Sequence, residues 1–452
     1  MSKRSSFSSL SAALRFLKTG LLGVLEISEQ RSAPALPAIS IALTLLSIFQ
    51  MFSFVTANSS AYDWPQSLAP LSITSSLTSV SGYRAYMSTN FSVALVWASF
   101  AWVGLLGALI VWGIACFAAN EFPVLWPLTL LKVAGNLSAG VLFIPLLQAI
   151  LQTSCSEAQQ TTCSHAGDVA EIILSIVATI FLVCLSFIFN GIYYDASVWS
   201  KNVRAQAHGR FNIVMLAVQL VLVVTMNVVN NSAGLPGGMQ RIIVLASMGF
   251  VWLAAVLFFM PYYQHFMNRL WVVGAFVYLS AVVALTFDVY VPTVDAALLL
   301  YVMFPLAVGC GIALADARAT NIICALPERL STPYEIELKG RYMLHAAVFG
   351  HALFSIAGTN AMVRPAAHHA ATVVPASGGG DNELPQYLSP EDAAKLLNFY
   401  RAAVTRFSGD PIVHLFMSRM YGHVLNNRHM QMSVRRRAQT RTGARRSRPR
   451  PK

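Results

Sequence analysis

Two polar residues of this sequence stand where a membrane protein could use them for chemistry. Lys132 borders one long apolar stretch and Gln219 lies inside another, which makes them a candidate intramembrane polar site. The lysine could neutralise an anion or pair with an acid along a transport path, or it could extend its ammonium group to the aqueous interface. Gln219 could bind a ligand or hydrogen-bond to a neighbouring helix. For both residues we favour the structural alternative.

Aspartates flank the last two apolar stretches, but they form no recognisable catalytic pattern. Asp288, Asp295 and Asp316 could hold a cation, although hydrated carboxylates at helix ends are the simpler expectation. His368 and His369 have no cysteine or carboxylate at the spacing that a metal site requires. We therefore expect no catalytic residue, no metal and no cofactor, and we expect that the protein is not an enzyme.

Two of the six cysteines have a spacing that favours a disulfide. Cys155 and Cys163 lie in a short segment between two apolar stretches, on the side of the membrane that we predict to be oxidising. The alternative is a pair of free thiols. The other four cysteines fall in apolar stretches or in their cytosolic flanks, where we expect reduced thiols.

The composition indicates which kind of element carries these residues. Of 452 residues, 56% are hydrophobic and only 11% are charged, whereas soluble domains average about 25% charged residues. Because so few charges cannot cover a water-facing surface, we expect an all-α, polytopic membrane helix bundle in contact with the lipid bilayer. Eight stretches are long and apolar enough to cross about 30 Å of hydrocarbon, namely Leu36–Thr56, Phe91–Phe117, Val133–Leu151, Val169–Tyr193, Phe211–Asn230, Ile242–Met260, Trp271–Val291 and Ala296–Ala315.

The positive charges predict the orientation of this bundle. Lysine and arginine favour the N-terminal side of the predicted spans by ten to two, with Arg84 and Arg241 as the two exceptions. We therefore expect both termini in the cytosol, with the bundle in the plasma membrane or an endomembrane. Acceptor sequons for glycosylation begin at Asn58, Asn90 and Asn230, all in loops predicted to be non-cytosolic.

Two short helices are predicted after the membrane-spanning part. Ser389-Pro390 combines a hydroxyl N-cap with proline at the first helical position, and Asp410-Pro411 repeats this signal. Apolar positions at helical spacing follow both signals, so residues 389–430 are predicted to form an antiparallel pair like one unit of an α-solenoid. A single unit cannot bury its faces alone, so it must dock on this chain, on a partner or on further repeats.

The C-terminal tail holds most of the net charge of +12. Its arginines form a polybasic segment without acids, at Arg435, Arg436, Arg437, Arg441, Arg445, Arg446, Arg448 and Arg450. Anionic lipids of the cytosolic leaflet would attract each such charge by about 1 kcal/mol. We favour lipid contact over an inert tail and over a partner or targeting signal. No nucleic acid is expected as a partner, because no folded reader or interleaved aromatic residues accompany the arginines.

Three parts of the chain carry a resemblance to a known family. Amphipathic Phe16–Gln30 leads into apolar Ser40–Phe54, and the fourth span ends in Tyr193–Asp195 followed by Trp199–Asn202. The third part is Ala402–His429, which contains the junction of the two short helices. In these features the chain resembles the tiny macrocysts protein B family. The resemblance implies a multispan membrane protein followed by tetratricopeptide-like helices, although the arginine-rich tail departs from the family pattern.

Together these features predict a segment order and a leading function. We expect a membrane scaffold, or the membrane-anchored component of a signalling or sensory assembly, which recruits cytosolic or membrane protein partners through its helical repeat. A transporter or channel is the alternative, as is a structural subunit of a larger membrane assembly. The segments are a cytosolic amphipathic arm (1–35), the eight-span bundle (36–316), a juxtamembrane helix and flexible linker (317–388), the helix pair (389–430) and a polybasic disordered tail (431–452).

Overall fold

The fold comes from a computed structural model, which describes the chain in blocks. These are residues 37–56, 89–119, 121–151, 165–191, 209–231, 237–262, 264–291, 295–326, 332–349 and 390–408, with single positions 20, 24, 204, 206, 329, 330, 413, 414, 417, 418 and 421. Every named element in this part of the chain is a helix. An isolated antiparallel bridge joins Gln206 to Tyr262.

Eleven helices are described, and they are numbered here in chain order. They are α1 (Pro37–Thr56), α2 (Thr89–Ala119), α3 (Trp126–Ala139), α4 (Phe143–Leu151), α5 (His165–Gly191), α6 (Arg210–Asn231), α7 (Gly237–Phe259), α8 (His265–Tyr290), α9 (Ala296–Cys324), α10 (Pro333–Phe349) and α11 (Pro390–Arg406).

Six of these helices, α1, α2, α5, α7, α8 and α9, are long and apolar enough to cross a membrane. Helices α3 and α4 would supply a seventh crossing if taken together, although they are bent by 72° at the break between them. Helix α6 contains a shorter apolar section, Arg210–Thr225. The protein is therefore an all-helical, multi-pass membrane protein, as the composition predicts. The described residues contain six spans, or up to seven with the bent pair.

The chain divides into two compact units. The first contains Met1–Tyr262 and Phe266–Leu314, and the second contains Tyr263–His265 and Ala315–Lys452. Helix α9 was expected to end near Ala315, but it continues without interruption to Cys324. The last turns of this helix therefore belong to the second unit rather than to the span alone.

Close packing of α3 against α5 organises one core of the first unit. A methyl group added at Gly135 would lie 2.2 Å from Cζ of Phe189, so the two helices can approach here only because residue 135 has no side chain. The buried residues of this core are Val24, Leu106, Leu109, Leu128, Leu131, Ala134, Ala139, Leu185 and Phe189. In contrast, a methyl group at Gly104 on α2 would meet nothing within 4 Å.

Buried aromatic rings form a second core in the first unit. Trp252 lies between Trp271 and Tyr278, with ring centroids 5.7 Å apart in both pairs. Phe211 contacts Trp271 at 5.2 Å and Tyr262 at 6.2 Å. All five side chains are at most 5% exposed. Such packed rings contribute both buried area and edge-to-face attraction.

The second unit is built around α10 and α11. Glu335 and Thr332 form a reciprocal capping box at the start of α10, with both hydrogen bonds at 3.3 Å. A methyl group at Gly340 would lie 2.2 Å from the hydroxyl oxygen of Tyr400, so α11 packs closely on α10 at this glycine. Buried side chains at helical spacing line the inner face of α11, namely Leu396, Phe399, Tyr400 and Ala403. The apolar stripe of α11 is therefore covered within its own chain.

Candidate functional site

The backbone is interrupted between α3 and α4, which are bent by 72° relative to each other. A continuous helix over Val133–Leu151 was expected, but the structure begins the helix at Trp126 and interrupts it at Gly140, whose φ and ψ are both −107°. Pro145 explains the interruption, because it has no N–H for the carbonyl of Val141 and its ring would clash with that carbonyl in a continuous helix. The expected single span is thus a pair of shorter helices.

Side chains from three other helices donate hydrogen bonds at this break, two of them to backbone carbonyls and the third to a side-chain hydroxyl. Nε2 of Gln50 on α1 donates to the carbonyl of Val141 at 2.6 Å, and Nδ2 of Asn190 on α5 donates to the carbonyl of Ala139 at 2.8 Å. The indole N–H of Trp102 on α2 donates to the Ser138 hydroxyl at 2.8 Å. In a membrane, carbonyls released from a helix must find such donors within the protein. We call the segment from Ser138 to Val141, together with its donors Gln50, Trp102 and Asn190, the braced break.

One acceptor at the braced break has no donor. Gln50 is 2% exposed, and its Oε1 has no hydrogen-bond partner among the described residues. The assignment of oxygen and nitrogen in this amide follows from its neighbour, because only Nε2 can face the carbonyl oxygen of Val141. The break therefore contains a buried oxygen that can still accept.

The two predicted intramembrane residues lie on different helices. Lys132 was expected just outside a span, but it is half-buried within α3, of which it is the seventh residue. Gln219 is 7% exposed in α6. Lys132 has an interaction partner in the structure, which suits a lysine inside an apolar helix better than a free charge.

Arg241 was predicted to lie in a non-cytosolic loop, but the structure buries it within a helix. It lies in the second turn of α7 and is 7% exposed. Its guanidinium donates to the carbonyl of Phe54 at 3.0 Å. Phe54 is in the last turn of α1, where carbonyls have no partner in the helix, so a cation there satisfies one carbonyl and interacts favourably with the helix dipole.

The second unit contains a chain of hydrogen bonds through a buried histidine. His265 is 1% exposed, and its Nε2 lies 2.8 Å from Oδ1 of Asp316. On the other side of the ring, Nδ1 lies 3.2 Å from the hydroxyl of Tyr342. Asp316 was expected to be a hydrated helix end, but its carboxylate is instead engaged by an imidazole. Asp295 does lie at a helix end, where its Oδ1 caps the N-terminus of α9 by accepting a hydrogen bond from the backbone N–H of Ala297 at 2.8 Å.

Charged pairs fix α10 within the second unit. Glu337 and Arg341 form a buried two-bond pair one turn apart, in which Nε donates to Oε1 at 3.2 Å and Nη2 donates to Oε2. Arg318 on α9 donates to Glu335 at 3.0 Å. Two hydrogen bonds between a guanidinium and a carboxylate restrict geometry more than a lysine would.

Lys339 closes the C-terminal end of α9. Its Nζ donates to the carbonyl of Ala325 and lies 5.9 Å from the ring centroid of Phe399. Burial lowers the pKa of the Lys339 ammonium, and the nearby thiol of Cys324 acts weakly in the opposite direction.

Most of the other predicted sites lie outside the described residues. This applies to Cys155, Cys163 and Asn58, and to the tail arginines 435–450. Asn90 lies in the first turn of α2, and Asn230 lies in the last turn of α6. In the described part of the chain, no three His, Cys, Asp or Glu residues are grouped so that they could hold a metal ion. The cysteines described there are free.

Sequence reasoning missed the two polar arrangements described above. Proline within an apolar stretch was the available signal for the braced break, because Pro145 implies an unpaired carbonyl at Val141. The donors could not be found in this way, since Gln50 is 91 residues distant from Val141. His265 has no local signal at all, because its partners are 51 and 77 residues away.

Comparison with known proteins adds no relative to these observations. No family model matches the chain, and neither a curated protein nor a solved structure matches it.

Proposed function

We propose that the protein is a non-enzymatic membrane scaffold, or the membrane-anchored component of a signalling assembly, which recruits protein partners through its second unit. The observation that carries this proposal is the packing of α11 on α10. The absence of a side chain at Gly340 leaves room for the Tyr400 ring, and the buried Glu337–Arg341 ion pair links adjacent turns of α10. Because α10 and α11 share a core, α11 can present a constant outer face to a partner. The resemblance to the tiny macrocysts protein B family supports the same role.

The outer face of α11 is cationic. Lys395, Arg401 and Arg406 are exposed, and so are four small or neutral residues, Ala394, Asn398, Ala402 and Thr405. After its first turn, which contains Glu391 and Asp392, α11 has no acidic residue. A partner with an acidic, shallow surface would match both the charge and the small size of these side chains.

Crosslinking in native membranes, followed by purification of the full chain, tests this role. The double variant Lys395→Glu and Arg401→Glu should lose a protein that the wild type retains in constant ratio. Arg329→Glu is the matched control, because Arg329 is an exposed cation of the same unit outside α11. A partner that both variants retain would contradict docking on α11, and recovery of no constant partner would contradict the scaffold.

The proposed topology has eight crossings with both termini in the cytosol. The bent pair α3–α4 and helix α6 would supply the two crossings beyond the six long spans. This orientation would place Asn58, Asn90, Asn230 and the proposed Cys155–Cys163 disulfide on the opposite side. Glycosidase treatment of single Asn→Gln variants tests the three glycosylation sites, and electrophoretic mobility with and without reductant tests the disulfide. Glycosylation of an acceptor tag at the C-terminus would contradict the cytosolic orientation of both termini.

The tail is proposed to bind anionic lipids of the cytosolic leaflet. Its arginines carry no compensating acid, and each would gain about 1 kcal/mol near such a surface before screening. Neutralising Arg435–Arg450 should reduce binding of a tail peptide to phosphatidylserine vesicles, with phosphatidylcholine vesicles as the control. Equal binding before and after neutralisation would contradict the proposal.

Transport is a second candidate, favoured specifically by the braced break. Discontinuous membrane helices mark the substrate sites of many transporters, because unwound backbone carbonyls become available there. Lys132 lies in α3, one of the two helices that form the break. Uptake or current in reconstituted liposomes that Lys132→Ala abolishes and the neighbouring exposed Val133→Ala preserves would support transport. Absence of any flux would leave the scaffold as the function.

A further inference from the structure

The unpartnered oxygen of Gln50 lies at a fixed place in the braced break. The planar amide of Gln50 is oriented by the 2.6 Å hydrogen bond from its Nε2 to the carbonyl of Val141. The Oε1 of the same amide is therefore held beside the interrupted backbone and cannot rotate away without breaking that bond. Gln50 is 2% exposed, so bulk water does not supply the missing donor.

The backbone at the break offers carbonyl oxygens to a cation. Helix α3 ends at Ala139 with partial negative charge and α4 begins at Phe143 with partial positive charge, so the carbonyl oxygens rather than the helix dipoles select the ligand. The carbonyls of Ala139 and Val141 each accept one hydrogen bond from a side chain and retain a second lone pair. Neutral oxygen donors, without a carboxylate, suit a monovalent cation better than Ca²⁺ or Mg²⁺, whose protein sites use carboxylates.

We propose that the braced break binds a desolvated monovalent cation, Na⁺ or K⁺, through Oε1 of Gln50 and the freed backbone carbonyls. This site goes beyond the scaffold role and deepens the transport candidate, since it names the class of ion. Binding does not require transport, because a cation can also hold the two helices of the break in a fixed arrangement.

Thermal unfolding of the purified full chain in detergent tests the site. N-methyl-D-glucamine chloride is replaced stepwise by NaCl or KCl at constant ionic strength, and unfolding is followed by tryptophan fluorescence. A ligand that binds only the folded state raises Tm, here by on the order of 2 °C between 1 and 100 mM. A shift with one cation and a smaller shift with the other identifies the preferred ion.

Variants separate binding from general stability. Gln50→Leu should abolish the cation-dependent shift, whereas Asn268→Leu should lower Tm but keep the shift, because it removes two buried hydrogen bonds to the Tyr262 backbone outside the braced break. Gln219→Leu is the control for loss of a buried glutamine elsewhere in the first unit. A shift of equal size in Gln50→Leu would overturn the proposal, as would the absence of any shift in the wild type.

A direct measurement covers the case in which Gln50→Leu does not fold. Wild-type protein should retain radioactive ²²Na⁺ or ⁸⁶Rb⁺ at about one ion per chain in a scintillation proximity assay, and excess unlabelled ion should displace it. No saturable binding of either ion would overturn the site. Because this readout needs no flux, a failure of transport and a failure of cation binding remain distinguishable.

Discussion

Nε2 of His265 lies 2.8 Å from Oδ1 of Asp316, and the histidine is almost fully buried. The two residues come from the first turn of α8 and from α9, and the other ring nitrogen reaches Tyr342 on α10. One imidazole therefore connects α9 and α10 within the second unit. Both ring nitrogens are engaged, so the ring orientation is fixed by its neighbours.

Replacing His265 should destabilise the protein more than changing its acidic partner. His265→Phe keeps a ring but removes the buried hydrogen bonds to Asp316 and Tyr342, which typically costs about 1–3 kcal/mol. Asp316→Asn keeps an acceptor at Oδ1 and should cost less. The measurement is Tm in detergent or nanodiscs, with Phe266→Leu as the exposed neighbouring control. An unchanged Tm for His265→Phe would show that the hydrogen bonds contribute nothing measurable.

Two glycines of the first unit should respond oppositely to alanine. In Gly135→Ala the new methyl would lie 2.2 Å from Phe189, and such overpacking costs about 1–3 kcal/mol. Gly104→Ala meets open space, so the higher helix propensity of alanine should leave stability equal or slightly raised. Thermal unfolding of both variants checks this. Gly135→Ala combined with Phe189→Leu should recover part of the loss, and no recovery would contradict the steric cause.

A methyl group at position 340 should loosen α11. Gly340→Ala would place the methyl 2.2 Å from the Tyr400 hydroxyl oxygen and 2.6 Å from Cζ, so the ring must move away from α10. We expect faster amide hydrogen exchange across residues 390–406, by roughly tenfold for about 1.4 kcal/mol of lost packing. Gly309→Ala, which has nothing within 4 Å, is the control. Unchanged exchange in α11 would refute its close packing at Gly340.

Lys339 should lose its proton at a lower pH than an exposed lysine. Burial lowers the folded-state pKa of its ammonium below 10.5, so the unfolded chain holds this proton more tightly than the folded chain. The charged amine therefore costs stability at neutral pH, and this cost disappears as pH rises from the lowered pKa through 10.5. Competitive acetylation against pH, read by mass spectrometry, should give a lower midpoint for Lys339 in the folded protein than in the denatured chain. Coincident midpoints would contradict the effect of burial.

Local pattern was sufficient to identify the six long membrane-spanning helices, but not the bend between α3 and α4. Apolar runs such as Ala94–Ala119 and Met239–Phe259 predict helices because their length matches the hydrocarbon thickness, and this depends on composition alone. The cap at Ser389-Pro390 likewise predicts where α11 begins. Such signals work because helix formation is governed by residues within one or two turns.

Only the tertiary structure decided which residues far apart in sequence hydrogen-bond to each other. The sequence by itself determined that Pro145 would release a carbonyl, but packing of α1 and α5 against the break decided that Gln50 and Asn190 would satisfy the backbone there. The same holds for His265 and Asp316, and for the place of Arg241 at the end of α1. A buried polar group must be satisfied by whichever donor or acceptor the packed helices bring within about 3 Å. That choice depends on how the helices cross, which no local pattern encodes.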